Sequence, residues 1–132
     1  MPVSGGTTSV LAGQTVKGFA DGNGTEALFY GGGGLVVHPI TGIVYITDST
    51  RIRICTATGL VSTLTSLTTS FHLSCSIVFN PTLVYLYVTS GNILSQFVVS
   101  NGSTTTLAGS GASTSINGQG RRASFNYPMY VN

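Results

Sequence analysis

The chain is nearly without charge. Of its 132 residues only 3 are acidic and 5 basic, a charged share of 6% against roughly 25% in an ordinary soluble domain. The cations Lys17, Arg51, Arg53, Arg121 and Arg122 form no long basic run. The dense positive stripe that neutralises phosphates is missing, so nucleic acid is not an expected partner. Tryptophan is absent, and there are only 2 cysteines. No stretch approaches the ~18 apolar residues of a membrane span, so direct membrane insertion is not expected. The opening Met1-Pro-Val-Ser-Gly-Gly lacks the charged and apolar regions of a signal peptide.

What is present compensates for the missing charge. Hydrophobic residues make up 42% of the chain, and disorder goes with the opposite balance, so the chain should fold. It carries 18 Gly, 16 Ser and 19 Thr. Thr, Val, Ile and Tyr favour strands, while the Gly, Asn and Ser clusters between them favour turns. The expected fold class is all-β.

The chain repeats itself. Val10-Leu-Ala-Gly through Gly22-Asn-Gly24 to Ala27-Leu-Phe29 returns as Thr106-Leu-Ala-Gly through Gly118-Gln-Gly120 to Ala123-Ser-Phe125, at an offset of 96. A shortened copy, Ser62-Thr-Leu64 to Phe71, lies between them and reduces the period to about 42 residues, with an 11-residue insertion in the outer copies. A period of this size marks an array of one small unit. Within the first unit, short β-rich runs fall at Leu35 to Pro39, Ile43 to Thr47, Arg51 to Cys55 and Leu60 to Leu64. In the second they fall at Ser76 to Asn80, Leu83 to Thr89, Ile93 to Val99 and Ser103 to Leu107, with the hairpin signal Asn101-Gly102 before the last. Four antiparallel strands per unit is the arithmetic of a propeller blade. Thr7 to Leu11 then reads as the last strand of a preceding blade and Tyr127 to Val131 as the first of a following one.

The run Leu-Ala-Gly, Gly18-Phe-Ala-Asp-Gly-Asn-Gly24, Ala27-Leu-Phe29, Val44-Tyr-Ile-Thr-Asp48, Arg51-Ile-Arg53 and Ala57-Thr-Gly-Leu-Val-Ser-Thr-Leu64 resembles the NHL-repeat family of β-propellers. The likeness is strong in the first unit and from Thr106 to Pro128. It is weaker in the second unit, where Ser90 replaces Asp48 and the Arg-Ile-Arg triplet is missing. The resemblance implies a ring of about six four-stranded blades, of which this chain covers roughly two to three. Residues 1–33 would hold the last strand of a preceding blade and an inter-blade loop, 34–64 a blade, 65–75 a short link, 76–107 a second blade, 108–126 another loop and 127–132 the start of the next blade. Two blades alone leave apolar faces in water. The chain is therefore expected to be a piece of a longer polypeptide, the alternative being several copies closing one ring.

Few residues suggest chemistry. Arg51 and Arg53 share one strand face, with Ile52 on the other, and are expected to make structural hydrogen bonds to neighbouring blades, with Asp48 as a partner; gripping an acidic partner is the other use. His38 and Asn80 hold equivalent places at the ends of first strands. In some propellers related to the resembled family the central channel binds a metal used in lyase or lactone-hydrolysing chemistry. Such a site needs several converging His and carboxylate ligands, and with His72 in a loop this chain does not assemble one. No catalytic residue, metal or cofactor is assigned. Gly31 to Gly34 precede a strand, not the helix that a phosphate cradle requires, and read as a tight approach to the innermost strand. Cys55 stands at a core position, and Cys55 with Cys75 form a possible disulfide in an oxidising compartment; bonded and free stay open. Tyr30, Tyr45, Tyr85, Tyr87, Tyr127 and Tyr130 are expected to pack between blades, with a contact to a partner or glycan as the other use. Ser103-Thr-Thr-Thr106 offers hydroxyls for O-glycans or for pairing with another chain's edge.

Asn23-Gly-Thr25 and Asn101-Gly-Ser103 are sequons in turns, whereas Asn80-Pro-Thr82 is excluded by its proline. With the low charge, they favour an extracellular or cell-surface protein carrying glycans at Asn23 and Asn101. The expected function is that of a non-enzymatic structural or interaction module, such as a filament or coat component. Its partners would be other protein chains or the remainder of its own propeller. The alternatives are a ligand-binding sensor domain of a larger receptor and, behind it, part of a metal-dependent lyase or lactonase.

Overall fold

A computed structural model describes residues 5–67 and 76–129. The fold is all-β. Strands β1 (Gly22–Asn23), β2 (Gly32–Val37), β3 (Val44–Asp48), β4 (Arg51–Cys55) and β5 (Leu60–Ser66) form one antiparallel sheet in the order β1-β5-β4-β3-β2. Strands β6 (Ser76–Phe79), β7 (Tyr85–Ser90), β8 (Ile93–Val98) and β9 (Thr104–Ala108) form a second in the order β6-β7-β8-β9. Apart from β1, each sheet is a meander whose strands pair in chain order, as short turn-linked β-rich runs require. All eight strands expected in the two units are present, shifted by a few residues at their ends. Thr7 to Leu11 and Tyr127 to Met129 form no strand, since neither segment has a sheet edge beside it to pair with among the described residues. The remainder of the expected strand after Met129 lies outside the described residues.

The meanders repeat in detail. His38 closes the β2–β3 turn, its Nδ1 accepting the amides of Ile40 and Thr41 at 3.3 and 3.2 Å. Asn80, 42 residues later, closes the β6–β7 turn, its Oδ1 accepting the amides of Val84 and Tyr85 at 3.0 and 2.9 Å. The hairpin tips β4–β5 and β8–β9 carry Gly59 and Gly102 at φ +92° and +72°. A Cβ on Gly59 would stand 2.5 Å from the carbonyl oxygen of Leu11, and one on Gly102 2.7 Å from that of Leu64. Both tips rest on the backbone of the preceding unit, where only glycine has the conformational freedom and the room.

Strand alternation sends residues to two faces. From the first sheet, Tyr45 and Ile52 join Ile77, Leu86, Val88 and Phe97 of the second in one core, with Val36, Ile54 and Leu64 packed against it. The first strands β2 and β6 lie against each other. The opposite face of the first sheet is apolar as well. There Val44 and Ile46 pack with Cys55, Val61, Ala12, Ala27 and Phe29, and Leu35 and Val37 stay 63% and 49% exposed. This is the same face, one unit earlier, that Ile77, Leu86, Val88 and Phe97 of the second sheet bury against the first: Leu35, Val44, Ile46 and Cys55 precede them by 42 residues.

Candidate functional site

The most elaborate polar arrangement sits where residues 10–31, the first linker, cross the β4 face of the first sheet. Arg53 is 1% exposed and Asp48 fully buried. Strand β3 ends at Asp48 and β4 starts at Arg51, so a tight hairpin brings the Arg53 guanidinium back over the carboxylate. Arg53 Nη1 donates to Asp48 Oδ2 at 2.8 Å and to the Leu28 carbonyl at 2.9 Å. Its Nη2 donates to the Ala20 carbonyl at 2.8 Å and to Asp21 Oδ1 at 2.9 Å. The planar fork of an arginine suits four convergent acceptors, and lysine has no such fork. The guanidinium carbon also stands 5.1 Å from the Phe29 ring centroid. Arg53 Nε and, beside it on the same face, Arg51 Nη1 have no hydrogen-bond partner among the described residues.

The acceptors are themselves fixed. Ala20 and Leu28 exchange backbone hydrogen bonds at 3.3 and 3.0 Å, which aims both free carbonyl lone pairs at the same point. Asp48 Oδ1 accepts the amides of Tyr30 and Gly31, each at 2.9 Å. Thr63 Oγ1 donates to Asp21 Oδ1 at 2.9 Å. The charge is thus distributed over peptide dipoles and two carboxylates, the satisfied condition in which a buried ion pair is tolerable. The expected contact between Arg53 and Asp48 is present, but the remaining hydrogen bonds of Arg53 run to the linker and not, as expected, to a neighbouring blade.

Arg51, on the same face, stacks its guanidinium 3.6 Å from the Phe19 centroid. Phe19 stacks on Tyr30 at 5.2 Å with the planes 12° apart, and Lys17 Nζ lies 5.9 Å from the Tyr30 centroid. Tyr30 thus meets Phe19 and Lys17 while staying half-exposed. Of the other tyrosines, Tyr45 packs against Phe79 at 5.2 Å and Tyr87 OH receives Gln96 Nε2 at 3.4 Å. Tyr130 lies outside the described residues.

The remaining candidates do not converge. His38 and Asn80 serve their turns, His72 lies outside the described residues, and no group of three potential metal ligands occurs among those described. Cys55 is buried, and burial pushes its thiol above the ordinary value, which opposes reactivity. Cys75, its possible disulfide partner, lies outside the described residues. In the glycine run, the Gly31 amide is held by Asp48 and that of Gly34 by Thr47 Oγ1 at 2.8 Å. Asn23 and Asn101 are both exposed. Asn101 Oδ1 accepts the Ser103 amide at 2.9 Å, closing its turn. Sequence reasoning foresaw the Arg53–Asp48 pair but missed Asp21, Ala20 and Leu28. Their only sequence signal was that the extra loop and the Arg-Ile-Arg triplet occur together in the first unit and are both missing from the second.

No family model matches the chain, and no curated protein does. Among solved structures the chain is similar to an auxiliary nutrient binding protein from Bacteroides thetaiotaomicron VPI-5482, with 20% identity and a TM-score of 0.59. The similarity covers 76% of this chain and only 26% of that one, so the chain spans about a quarter of the length of the protein it matches. At this identity the likeness is one of fold.

Proposed function

We propose that the chain supplies consecutive blades of an NHL-type propeller, a rigid scaffold that acts by shape as a structural or interaction module. The observation that carries this reading is the use of two different faces in one contact. The second sheet covers the first with the face bearing Leu86, Val88 and Phe97, and the equivalent face of the first sheet, with Leu35 and Val37 exposed, awaits a sheet of its own. A head-to-tail contact of this kind, repeated by rotation, generates a ring. An antiparallel sheet meant to face water carries one apolar side only, and the first sheet carries two.

The second part of the proposal is that the module works outside the cell with glycans on Asn23 and Asn101. Its support is the exposure of both asparagines, Asn23 at the end of β1 and Asn101 in the β8–β9 turn, and the near absence of charge. A ligand-binding domain of a larger receptor is the second reading, favoured by the nutrient-binding description of the similar structure.

Small-angle scattering with mass measurement on the native protein tests the scaffold. A compact disc of several sheets, within one longer chain or across copies, is expected; a stable monomer of 13.6 kDa overturns it. Glycopeptide mass spectrometry tests the location, and unmodified Asn23 and Asn101 in native material would count against an extracellular site.

A further inference from the structure

The second linker reproduces the seat of Arg53 and holds no arginine. Each feature returns 96 residues later. The single 3-10 turn Gly24–Glu26 returns as Gly120–Arg122. The bond from Gly13 N to Gly24 O, 3.0 Å, returns as Gly109 N to Gly120 O, 3.2 Å. The paired bridge Ala20↔Leu28, whose carbonyls receive Arg53, returns as Ile116↔Ser124, with bonds of 3.2 and 2.9 Å. Phe125 stands for Phe29 and Asn117 for Asp21. Where the first linker is filled by Arg53, the second encloses an open cavity of about 510 Å³ lined by Ala108, Ile116, Ala123, Ser124, Phe125 and Asn126, among others.

The chain also shows what accompanies such a linker. After the long first linker the next sheet carries Asp48 and Arg53. After the short link between the sheets, the positions 42 residues later hold Ser90 and Ser95. The arginine goes with the long linker, and the second long linker has no sheet seated on it among the described residues.

We propose that the cavity of the second linker is the seat for an arginine on the third strand of a further four-stranded meander, with a carboxylate five residues before it as Asp48 stands before Arg53. This rests on the reading of the chain as stacked sheets and adds the chemistry by which the next sheet is chosen. The guanidinium donates to the carbonyls of Ile116 and Ser124 and to the side-chain oxygen of Asn117, over the ring of Phe125. The incoming carboxylate takes the amides in the places of Tyr30 and Gly31, those of Asn126 and Tyr127. The Tyr127 amide is now held by Asn92 Oδ1 at 2.9 Å and changes partner. A second copy of this chain does not fit the description, because its Arg53 is already seated in its own linker.

The test extends the chain in register. A second copy of residues 32–66 replaces residues 128–132, with either the native arginine or Arg53→Gln in the added copy only, and amide exchange is followed at Ile116 and Ser124 against the unaltered chain. With arginine, protection at both amides should rise at least about tenfold over the unextended chain, since a charge-assisted hydrogen bond is worth that much. The glutamine version should lose most of the gain, and Asn117→Asp should increase it in the arginine version only. If the glutamine version protects as well as arginine, the seat is refuted while the stacking of sheets stands. If neither appended sheet folds, both readings fall. Self-association of the unextended chain that Arg53→Gln abolishes would assign the seat to a second copy and overturn the occupant proposed.

Discussion

Around β4 of the first sheet a guanidinium is ringed by carbonyls and carboxylates, while the same place on β8 holds Ser95, with Ser90 in the place of Asp48. Apart from β1, both sheets have the same strand plan, with a glycine at the same hairpin tip. What differs is the chain that leads into them. Residues 10–31 leave most of their larger apolar side chains exposed, Val10, Val16 and Tyr30 among them, and Arg53 supplies polar attachments in addition to the packing of Ala12, Ala27 and Phe29. The second sheet is reached by a short link and depends on Leu86, Val88 and Phe97, all fully buried. A charged anchor is needed where loose backbone must be fixed, and it is dispensable where two apolar faces meet directly.

The contrast can be broken from the polar side with the largest effect. Arg53→Ala should destabilise the fold by about 3–5 kcal/mol, because it strands the buried Asp48 carboxylate; urea unfolding measures it. From the apolar side, Leu86→Ala should cost about 2–5 kcal/mol through its cavity, and here exchange at the Ala20 and Leu28 amides should not change until the whole chain unfolds. Converting the first sheet to the chemistry of the second, Asp48→Ser with Arg53→Ser, should cost less than the two single changes added together. A double-mutant cycle should give a coupling of about 0.5–3 kcal/mol, and strict additivity would show that the pair does not act as a unit. The hairpin tips should behave alike in both sheets: Gly59→Ala and Gly102→Ala are each expected to cost about 1–3 kcal/mol in the same unfolding assay.

The smallest effect is one of pH. Burial raises Cys55 above 9.0 and Tyr45 above 10.0. The folded chain therefore keeps these protons where the unfolded chain releases them, so stability is full below pH 9 and declines as pH rises through 9 to 10 and beyond. Cys55→Ala and Tyr45→Phe should each flatten part of that decline in a pH series of unfolding midpoints.

The strands were legible because each unit alternates β-branched and aromatic residues between turn formers, and because Arg51-Ile-Arg-Ile-Cys55 states its two faces directly. The same alternation placed Arg53 beside Asp48 across a tight hairpin. The linker was not legible. Its path depends on Gly13, Gly24 and the Ala20–Leu28 bridge, long-range backbone contacts with no periodic signal, so its two-residue strand β1 and the role of Asp21 went unseen. His38 and Asn80 were legible as equivalent positions, yet their use was not, since a side chain that closes its own turn has the same sequence signature as one lining a channel.

The first linker also stores length. Its residues 10–31 are folded back across the sheet and held by Arg53 through the Ala20 and Leu28 carbonyls and Asp21, by Asp48 through the Tyr30 and Gly31 amides, and by the pairing of β1 with β5. If a chain under tension lost those holds, the linker would pay out on the order of 75 Å of contour while the meander of β2 to β5 stayed intact. A pulling force would thus meet a yielding joint before the first sheet, with Arg53 as the charged part of its latch.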